Sequence, residues 1–281
     1  MIALYAIGLG LAAAVVYAFL EPFKFVIREI ELKFPGLPKE FEGLRILHLS
    51  DTHIRQMGRL ERTWAKIIAE RPADMCVWTG DLVRFVRSVP LVFQLMPSIM
   101  TSRPIYAVLG NSEHKPHVDT SAMVEAFRSG QKEDELKLLM NASAVVERNG
   151  ARISIVGVDD PYSGFVDFDK AFEGVDREGF IIALAHCPSA SEKALRMGAN
   201  LVLSGHTHGG QLRIPGFGVL WTHMKTPTPL NDGLYFAALE CPGIQAKPGA
   251  TVFVHRGVGT SKIPIRFMCR PEIVYLTLRR G

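Results

Sequence analysis

Short hydrophobic runs recur along the chain and alternate with segments in which apolar positions repeat at helical spacing. Two helical segments cover residues 59–70 and 91–100, and we expect Pro97 to bend or break the second one. Another helix is predicted at residues 191–198, and two more are predicted between the third and fourth hydrophobic runs. Strands that alternate with helices are typical of βαβ units, in which helices bury a sheet. The hydrophobic runs, interpreted as buried strands, cover residues 44–50, 74–79, 104–109, 152–158, 180–185 and 200–204.

Residues 1–20 contain no charged side chain, and twenty helical residues span about 30 Å, the thickness of the hydrocarbon core of a bilayer. A secretory signal peptide would begin with a basic segment, which is missing here, and a buried soluble helix is disfavoured by the length. The first cations are Lys24, Arg28 and Lys33. Because cytoplasmic flanks carry an excess of Lys and Arg, we expect a single-pass anchor in the cell inner membrane, with the rest of the chain on the cytoplasmic face.

The chain is predicted to divide into three parts. Residues 1–20 form the transmembrane anchor, and residues 21–43 form a connector that includes a first strand at 25–34. Residues 44–281 form one α/β domain, within the size range of single α/β units. Its last part, residues 212–281, is rich in predicted strands and in Gly and Pro turns.

Charge and cysteine content exclude some classes of function. The formal net charge of +4 is too small to indicate nucleic-acid binding, although it would suit an anionic membrane surface or a phosphorylated substrate. No two cysteines have the C-x-x-C spacing, so we predict neither a disulfide framework nor a structural zinc site. The four cysteines are Cys76, Cys187, Cys241 and Cys269.

Polar side chains that can bind metal follow the predicted strands at the point where each strand ends. A single aspartate in this position is usually a helix cap or a turn residue. In α/β sheets, however, ligands bind beyond the carboxyl ends of the strands, and a whole set of such residues is hard to explain by caps. We therefore predict a metal site formed by Asp51, His53, Asp81, Asn111, His186, His206 and His208.

The residue types indicate two metal ions. Two divalent cations about 3.5–4 Å apart need a bridging carboxylate, because its oxygens offset the repulsion between the cations. Imidazole ligands favour transition metals such as Mn, Fe or Zn over Mg or Ca. In D-x-H and H-x-H, side chains two residues apart on an extended segment point the same way, so each pair can bind one centre.

The ordered motifs D-T-H (51–53), G-D (80–81), G-N (110–111), His186 and G-H-T-H (205–208) resemble those of calcineurin-like metallophosphoesterases. The resemblance implies a metallophosphoesterase-type β-sandwich flanked by helices. It also implies hydrolysis of a phosphorylated substrate with two divalent ions, most readily Mn, with Fe or Zn as alternatives. Residues 157–161, 209–218 and 263–273 are similar to a membrane-associated branch that includes a UDP-diacylglucosamine pyrophosphatase of lipid A synthesis.

The resemblance also implies a role for each residue. Asp81 would bridge the two metals, and both metals would stabilise the charge that develops during in-line attack on phosphorus. Asn111 would be a metal ligand with a catalytic role. One metal would be held by Asp51, His53 and His208, and the other by Asn111, His186 and His206.

One position departs from the family pattern. The family usually reads G-N-H-[DE], where the histidine stabilises the transition state or protonates the leaving oxygen, but here Ser112 follows Asn111. Either His114 reaches into the site as a catalytic residue, or the enzyme needs no acid, or activity is weak or lost. We favour the second interpretation, because cleavage of a pyrophosphate expels a phosphate monoester whose second pKa is about 6 and which leaves without help.

The sequence thus predicts a membrane-anchored hydrolase for a pyrophosphate bond in a lipid-linked nucleotide such as UDP-2,3-diacylglucosamine. The alternatives are a general phosphodiesterase acting on glycerophosphodiesters, cyclic nucleotides or cell-wall phosphates, and a non-catalytic scaffold with this fold. The full set of metal ligands disfavours the scaffold, and only Ser112 supports it.

Overall fold

The computed structural model describes residues 1–99, 104–130, 135–219, 222, 224, 230–237 and 245–281. Within these residues, the strands form two six-stranded sheets and one short hairpin. Helices lie on the outer faces of both sheets, so the predicted α/β sandwich flanked by helices is confirmed. The helices are α1 (Ile2–Leu20), α2 (Arg59–Ala69), α3 (Val89–Ile99), α4 (Thr120–Gly130), α5 (Phe168–Ala171) and α6 (Ser191–Arg196).

The first sheet has the order β1-β14-β2-β3-β4-β5. Strands β2 to β5 run parallel to one another, and β14 pairs antiparallel with β2 and parallel with β1. The strands are β1 (Val26–Phe34), β2 (Arg45–Leu49), β3 (Met75–Thr79), β4 (Ile105–Val108), β5 (Leu136–Leu138) and β14 (Glu272–Arg280).

The second sheet has the order β12-β13-β9-β8-β7-β6. Strands β7, β8, β9 and β13 are parallel, and the two edge strands pair antiparallel with their neighbours. Two more strands, β10 (Arg213–Ile214) and β11 (Gly218–Val219), form the separate hairpin. The strands of the sheet are β6 (Ala142–Arg148), β7 (Ala151–Val158), β8 (Phe180–Ala185), β9 (Leu201–Ser204), β12 (Gly233–Phe236) and β13 (Thr251–Val254).

Apolar side chains from the facing sides of the two sheets form the central core. Burial of each large side chain contributes about 1.5–3 kcal/mol, which holds the sheets against one another. The outer face of the first sheet is covered by α2, whose Trp64 and Ile68 lie one turn apart on the buried side. The central core contains Phe34, Ile46, Val77, Ile182, Leu203 and Phe253.

Two predictions about the helices were only partly correct. Among the described residues between β4 and β7, one of the two predicted helices is present, and residues 136–138 and 142–148 form β5 and β6 instead. The burial of β6 alternates from residue to residue, a period of two that belongs to a strand. Residues 131–134 lie outside the described part of the chain. Pro97 does not end its helix, since α3 continues to Ile99.

Helix α1 projects away from the two sheets. Leu4 and Leu9 are 74% and 73% exposed, although a soluble helix would bury such side chains. The stretch Leu4–Phe23 is long and apolar enough to cross a membrane, which makes it a candidate span. Its contacts with the described part of the domain are made by its C-terminal end, where the Arg266 N–H donates to the Ala18 carbonyl at 3.0 Å. The division of the chain at residues 20 and 43 stays a prediction, and β1 lies within the first sheet.

Candidate metal centre

All seven predicted metal ligands lie at one edge of the sandwich, where the parallel strands of both sheets end. This convergence follows from topology, because the carboxyl ends of parallel strands meet at a common edge. The ligands from the first sheet follow β2, β3 and β4, and those from the second sheet follow β8 and β9. The seven residues are Asp51, His53, Asp81, Asn111, His186, His206 and His208.

Five of these residues have a left-handed backbone, which is uncommon for residues other than glycine. The φ angles are 53° at Asp51, 46° at His53, 50° at Asp81, 68° at His206 and 50° at His208. Such conformations cost about 1–3 kcal/mol each and persist only where the surrounding structure enforces them. Strain of this kind concentrates at functional sites, and here it is repeated after three strands, β2, β3 and β9.

Gly205 explains how strand β9 comes so close to the end of strand β2. A β-carbon at this position would overlap the Ser50 hydroxyl and the Asp51 carboxylate. The glycine therefore lets β9 approach the end of β2, so that the His206 N–H donates to Asp51 Oδ2 at 3.0 Å. This contact joins the two sheets at the centre of the site.

The first group of ligands is formed by Asp51, His53 and His208. The Nε2 atoms of the two histidines are 3.1 Å apart, and their rings are stacked with centroids 5.1 Å apart. Asp51 Oδ1 lies 3.2 Å from His208 Nε2 and is a buried oxygen without a hydrogen-bond donor. Three donor atoms therefore face one another within 4.8 Å in a buried position.

The second group is formed by Asn111, His186 and His206. Asn111 Oδ1 lies 3.1 Å from His186 Nε2 and 2.8 Å from His206 Nδ1. The two ring nitrogens are themselves 3.1 Å apart. One oxygen and two nitrogens thus converge on a second point.

Asp81 lies between the two groups. Its Oδ2 is 3.3 Å from His53 Nε2, and its Oδ1 is 3.5 Å from His186 Nε2. One carboxylate therefore presents a different oxygen to each group, which is the arrangement that a bridging ligand requires.

The site fits a pair of cations. Ring nitrogens that point at one another and a buried oxygen without a donor are unfavourable unless a cation lies between them. Burial lowers the pKa of His53 to about 3, so that its ring is neutral as a metal ligand must be. Burial also disfavours a charged His186, but Asp81 and Asp51 outweigh burial and raise its pKa to about 9. A cation bound at His186 therefore displaces a proton.

The surrounding residues orient the ligands. The Nδ1–H of His186 donates to the Thr79 carbonyl at 2.9 Å, which leaves Nε2 facing the site. The Glu113 carboxylate accepts N–H groups from Gly110, Asp81 and Val83 at 2.9–3.2 Å. Glu113 therefore joins the loops that follow β3 and β4. Glu113 was not predicted from the sequence to have a role, although it occupies the acidic position of G-N-H-[DE], which is a signal that could have indicated one.

Ser112 does not occupy a place from which it can contact a substrate. It is 1% exposed, its N–H donates to Asp81 Oδ1 at 2.7 Å, and its hydroxyl lies 3.3 Å from His53 Nδ1. Ser112 is thus a supporting residue beneath Asp81 and His53.

His114 lies in the wall of the pocket above the metal ligands. Its Nε2–H donates to Asp159 Oδ1 at 2.7 Å, and its ring stacks on Phe165 with centroids 4.4 Å apart. Its Nδ1 is buried without a hydrogen-bond partner. The structure therefore holds His114 in one orientation beside the site, through an aspartate that the sequence analysis did not assign.

The pocket has a volume of about 380 Å³ and opens directly over the metal ligands. Asp81, Asn111, His206 and His208 form its floor. Two cations, Lys115 and Lys262, line its sides. Burial and the nearby Arg84 lower the pKa of Lys115, so negative charge on a bound substrate would stabilise its ammonium form. Two lysines beside a candidate metal site favour the binding of a substrate with several negative charges.

Other polar residues singled out in the sequence lie apart from the metal ligands. Asp160 accepts N–H groups from Tyr162 and Ser163, as expected of an Asp-Pro turn. His48 is buried within β2, with its Nε2 2.9 Å from the Thr79 hydroxyl. His223 and Cys241 lie outside the described residues, and the three other cysteines are buried and free.

The model of the calcineurin-like phosphoesterase family matches residues 44–210. The chain therefore belongs to this family, which is the class of protein that the sandwich and its edge site define. It is a metal-dependent phosphoester hydrolase with a candidate dinuclear centre.

The names of the similar curated proteins give a family or a reaction class and do not specify a substrate. An uncharacterised metallophosphoesterase of Bacillus subtilis, YkuE, is 28% identical over 93% of this chain and 88% of the relative. Phosphodiesterase YaeI of Escherichia coli is 27% identical over 83% and 82%. A zebrafish (Danio rerio) protein, called transmembrane protein with metallophosphoesterase domain, is 32% identical over 93% of this chain and 58% of that protein. Among solved structures, the NAD nucleotidase of Haemophilus influenzae matches 76% of this chain and 45% of its own, with 16% identity and a TM-score of 0.43.

Proposed function

We propose that the protein is a membrane-anchored hydrolase that cleaves the pyrophosphate bond of a lipid-linked nucleotide such as UDP-2,3-diacylglucosamine. The observation that carries this proposal is that a buried serine, Ser112, stands at the position where the family has a histidine, so that no imidazole occupies this position. A pyrophosphate expels a phosphate monoester, and that leaving group departs as an anion without an acid. An alkyl diester expels an alkoxide and needs one.

The pocket supports a substrate with more than one phosphate. The reacting phosphate would occupy the space next to the metal ligands. Lys115 and Lys262 supply two further positive charges at the sides of the pocket. A nucleoside diphosphate carries a second phosphate that these lysines can contact, whereas a simple diester does not.

The metal ligands have defined roles in this proposal. Asp51, His53 and His208 hold one cation, Asn111, His186 and His206 hold the other, and Asp81 bridges them. We propose Mn²⁺, although Fe or Zn would satisfy the same ligands. When bound, the cations would polarise the phosphoryl oxygens and lower the pKa of the attacking water.

His114 has the role of a positioning or acid group at the pocket wall. Asp159 holds its Nε2–H and its Nδ1 is buried without a hydrogen-bond partner, so neither ring nitrogen can contact a substrate unless the ring turns. Its place in the pocket wall favours a second candidate function, a general phosphodiesterase, in which the ring turns towards the leaving group and His114 replaces the family histidine. The name of the Escherichia coli relative agrees with that alternative.

Residues 1–20 are proposed to anchor the chain in the inner membrane, with the hydrolase domain on the cytoplasmic side. The exposed apolar surface of α1 supports the anchor, and Lys24, Arg28 and Lys33 support the orientation.

The test compares substrates with different leaving groups. Detergent-solubilised full-length protein with Mn²⁺ is assayed on UDP-diacylglucosamine, on glycerophosphocholine and on bis-p-nitrophenyl phosphate. We expect release of UMP from the first substrate to be faster than cleavage of either diester. Faster turnover of glycerophosphocholine would overturn the proposal and favour the general phosphodiesterase.

A pair of variants separates the two candidates. If His114 is an acid, His114→Gln lowers the rate on glycerophosphocholine by about a hundredfold and the rate on the pyrophosphate far less. The exposed His117 provides the matched control, since His117→Gln removes an imidazole three residues away without touching the pocket.

A further inference from the structure

A second cavity lies on the other side of residues 260–264 from the catalytic pocket. Ser261 and Lys262 line the pocket, whereas Thr260 and Pro264 line this second cavity, which we call the anchor groove. Its volume is about 480 Å³. The anchor groove is lined by residues 22–23, 52–53, 55–56, 58–61, 260 and 264.

The anchor groove connects the end of the apolar N-terminal helix with the metal ligands. Pro22 and Phe23, which lie in the short helical turn after α1, form one end of its lining, and Thr52 and His53 form another part. A ligand in the groove would therefore contact a metal ligand and the segment nearest to a bilayer at once. None of the other described cavities joins these two parts of the chain.

Two arginines give the anchor groove a positive charge. Arg55 and Arg59 are both exposed, and within the described residues neither is within ion-pair distance of a carboxylate. The Arg59 guanidinium lies over the Phe23 ring at 4.8 Å, which keeps it at the helix end of the groove. Burial and the like charge of Arg84 lower the pKa of Arg55. Glu61 is the one acidic residue in the lining, and its carboxylate accepts the Gly58 N–H at 2.9 Å.

Apolar side chains beside the groove extend the surface of α1 onto the domain. Segment 266–268 is attached to α1 because the Phe267 ring contacts the Tyr17 ring edge-on at 5.5 Å. The β10–β11 hairpin is attached to the same segment, since the Arg213 N–H donates to the Phe267 carbonyl at 2.9 Å. Four large side chains project from these segments and from residue 263: Ile214 (41% exposed), Phe217 (84%), Ile263 (47%) and Met268 (50%).

Exposed apolar side chains next to a membrane-spanning helix are typical of segments that enter the bilayer interface. Ile263 follows Lys262 of the catalytic pocket and precedes Pro264 of the anchor groove. If these side chains enter the interface, both cavities open at the depth of the lipid headgroups.

We propose that the anchor groove binds the phosphate-bearing headgroup of a lipid in the same bilayer that α1 crosses, with Arg55 and Arg59 contacting the phosphate. The proposal rests on the membrane anchor of the proposed function, and it adds where a lipid substrate enters. The apolar part of the lipid stays beside α1 and Ile263, while its anionic part reaches towards His53.

Photolabelling of the full-length protein tests this directly and does not depend on catalysis. The protein is reconstituted in phosphatidylcholine nanodiscs that contain a phosphatidic acid with a photoactivatable diazirine near its headgroup. Labelled positions are then mapped by mass spectrometry. We expect labels on residues 22–23 and 260–264, in addition to labels on α1.

Charge-reversal variants of Arg55 and Arg59, with a matched control, test whether these arginines bind the lipid phosphate. Arg55→Glu combined with Arg59→Glu should lower labelling of residues 260–264, relative to labelling of α1, by about tenfold or more, because each arginine contributes to anionic-lipid binding. Arg152→Glu changes an exposed arginine at the start of β7, far from both cavities, and should leave the pattern as it is.

Three outcomes would overturn the proposal. Labels confined to α1 would show that the groove does not hold the lipid. The same conclusion would follow if residues 260–264 were labelled equally in the unchanged protein and in the variant that carries both Arg55→Glu and Arg59→Glu. Loss of labelling in the presence of inorganic phosphate, at the same concentration as the lipid, would assign the groove to free phosphate. If labelling fails while UMP is released from UDP-diacylglucosamine, the groove proposal alone is wrong; if labelling succeeds without hydrolysis, only the proposed reaction is wrong.

Discussion

The two sheets contribute different chemistry to the same site. The first sheet supplies the oxygen ligands, Asp51, Asp81 and Asn111, together with one imidazole. The second sheet supplies imidazoles alone, from the ends of β8 and β9. The anionic ligands therefore come from one half of the sandwich and the neutral nitrogens mostly from the other. Removing Asp81 from the first sheet would take away charge that both cations share, whereas removing one histidine from the second sheet would weaken one position.

The largest expected effect comes from Asp81→Ala. Because this carboxylate faces both groups of ligands, we expect loss of both metals and a fall in hydrolysis of at least about a thousandfold. Metal analysis of the purified protein and a rate on bis-p-nitrophenyl phosphate measure the two effects. Asp169→Ala, an exposed aspartate in α5, is the control. Full metal content in the Asp81 variant would refute the bridging role.

A smaller effect is expected for His206→Ala on the second sheet. The Asp51, His53 and His208 group is untouched, so the metal content should fall from two ions to one and the rate by about a hundredfold. Titration of metal-depleted protein with Mn²⁺ shows how many ions bind. Loss of both ions would mean that the two groups do not act separately, and His117→Ala serves as the control.

Glu113→Ala tests whether this carboxylate stabilises the loops that follow β3 and β4 in the first sheet. Three buried N–H groups lose their acceptor, so we expect the free energy of unfolding to fall by about 3 kcal/mol or more. Urea denaturation of metal-depleted protein in detergent measures this without a contribution from bound ions. Glu125→Ala, in the exposed face of α4, should change the stability little. Equal stability of the two variants would contradict the structural role of Glu113.

The smallest effect is expected for Ser112→Ala. Its hydroxyl contacts His53 Nδ1, so its loss removes a support of one imidazole and should weaken Mn²⁺ binding by about tenfold. Competition with a fluorescent chelator measures the affinity, and Ser129→Ala on the surface of α4 is the comparison. A loss of hydrolysis with unchanged metal affinity would instead indicate that Ser112 contacts the substrate.

Much of the fold could be predicted because buried parallel strands leave continuous apolar runs. The run at residues 180–185 corresponds to β8 at both ends, and the polar residues that follow such runs are the ones that converge. Strand β6 was harder to predict, because only one of its faces is covered and its apolar residues do not form a continuous run over its length.

The supporting residues could not be predicted in the same way. Asp159 meets His114 across two loops that are distant in sequence, and only the sandwich brings these loops together. The burial of Ser112 likewise depends on the positions of Asp81 and His53 around it. Sequence motifs indicate which side chains bind a ligand, whereas the partners that orient them depend on tertiary packing.

The pairing of β1 with β14 has a consequence for biosynthesis. Val26 pairs with Glu272 and Phe34 with Arg280, so the strand that leaves the ribosome first needs the strand that leaves it last. Until residues 272–280 have been translated, β2 also lacks its neighbour and presents an open edge. Contacts between such distant parts of a chain form slowly. Helix α1 is therefore synthesised well before the first sheet can be completed, and the edge of β2 stays open to wrong pairing during this interval.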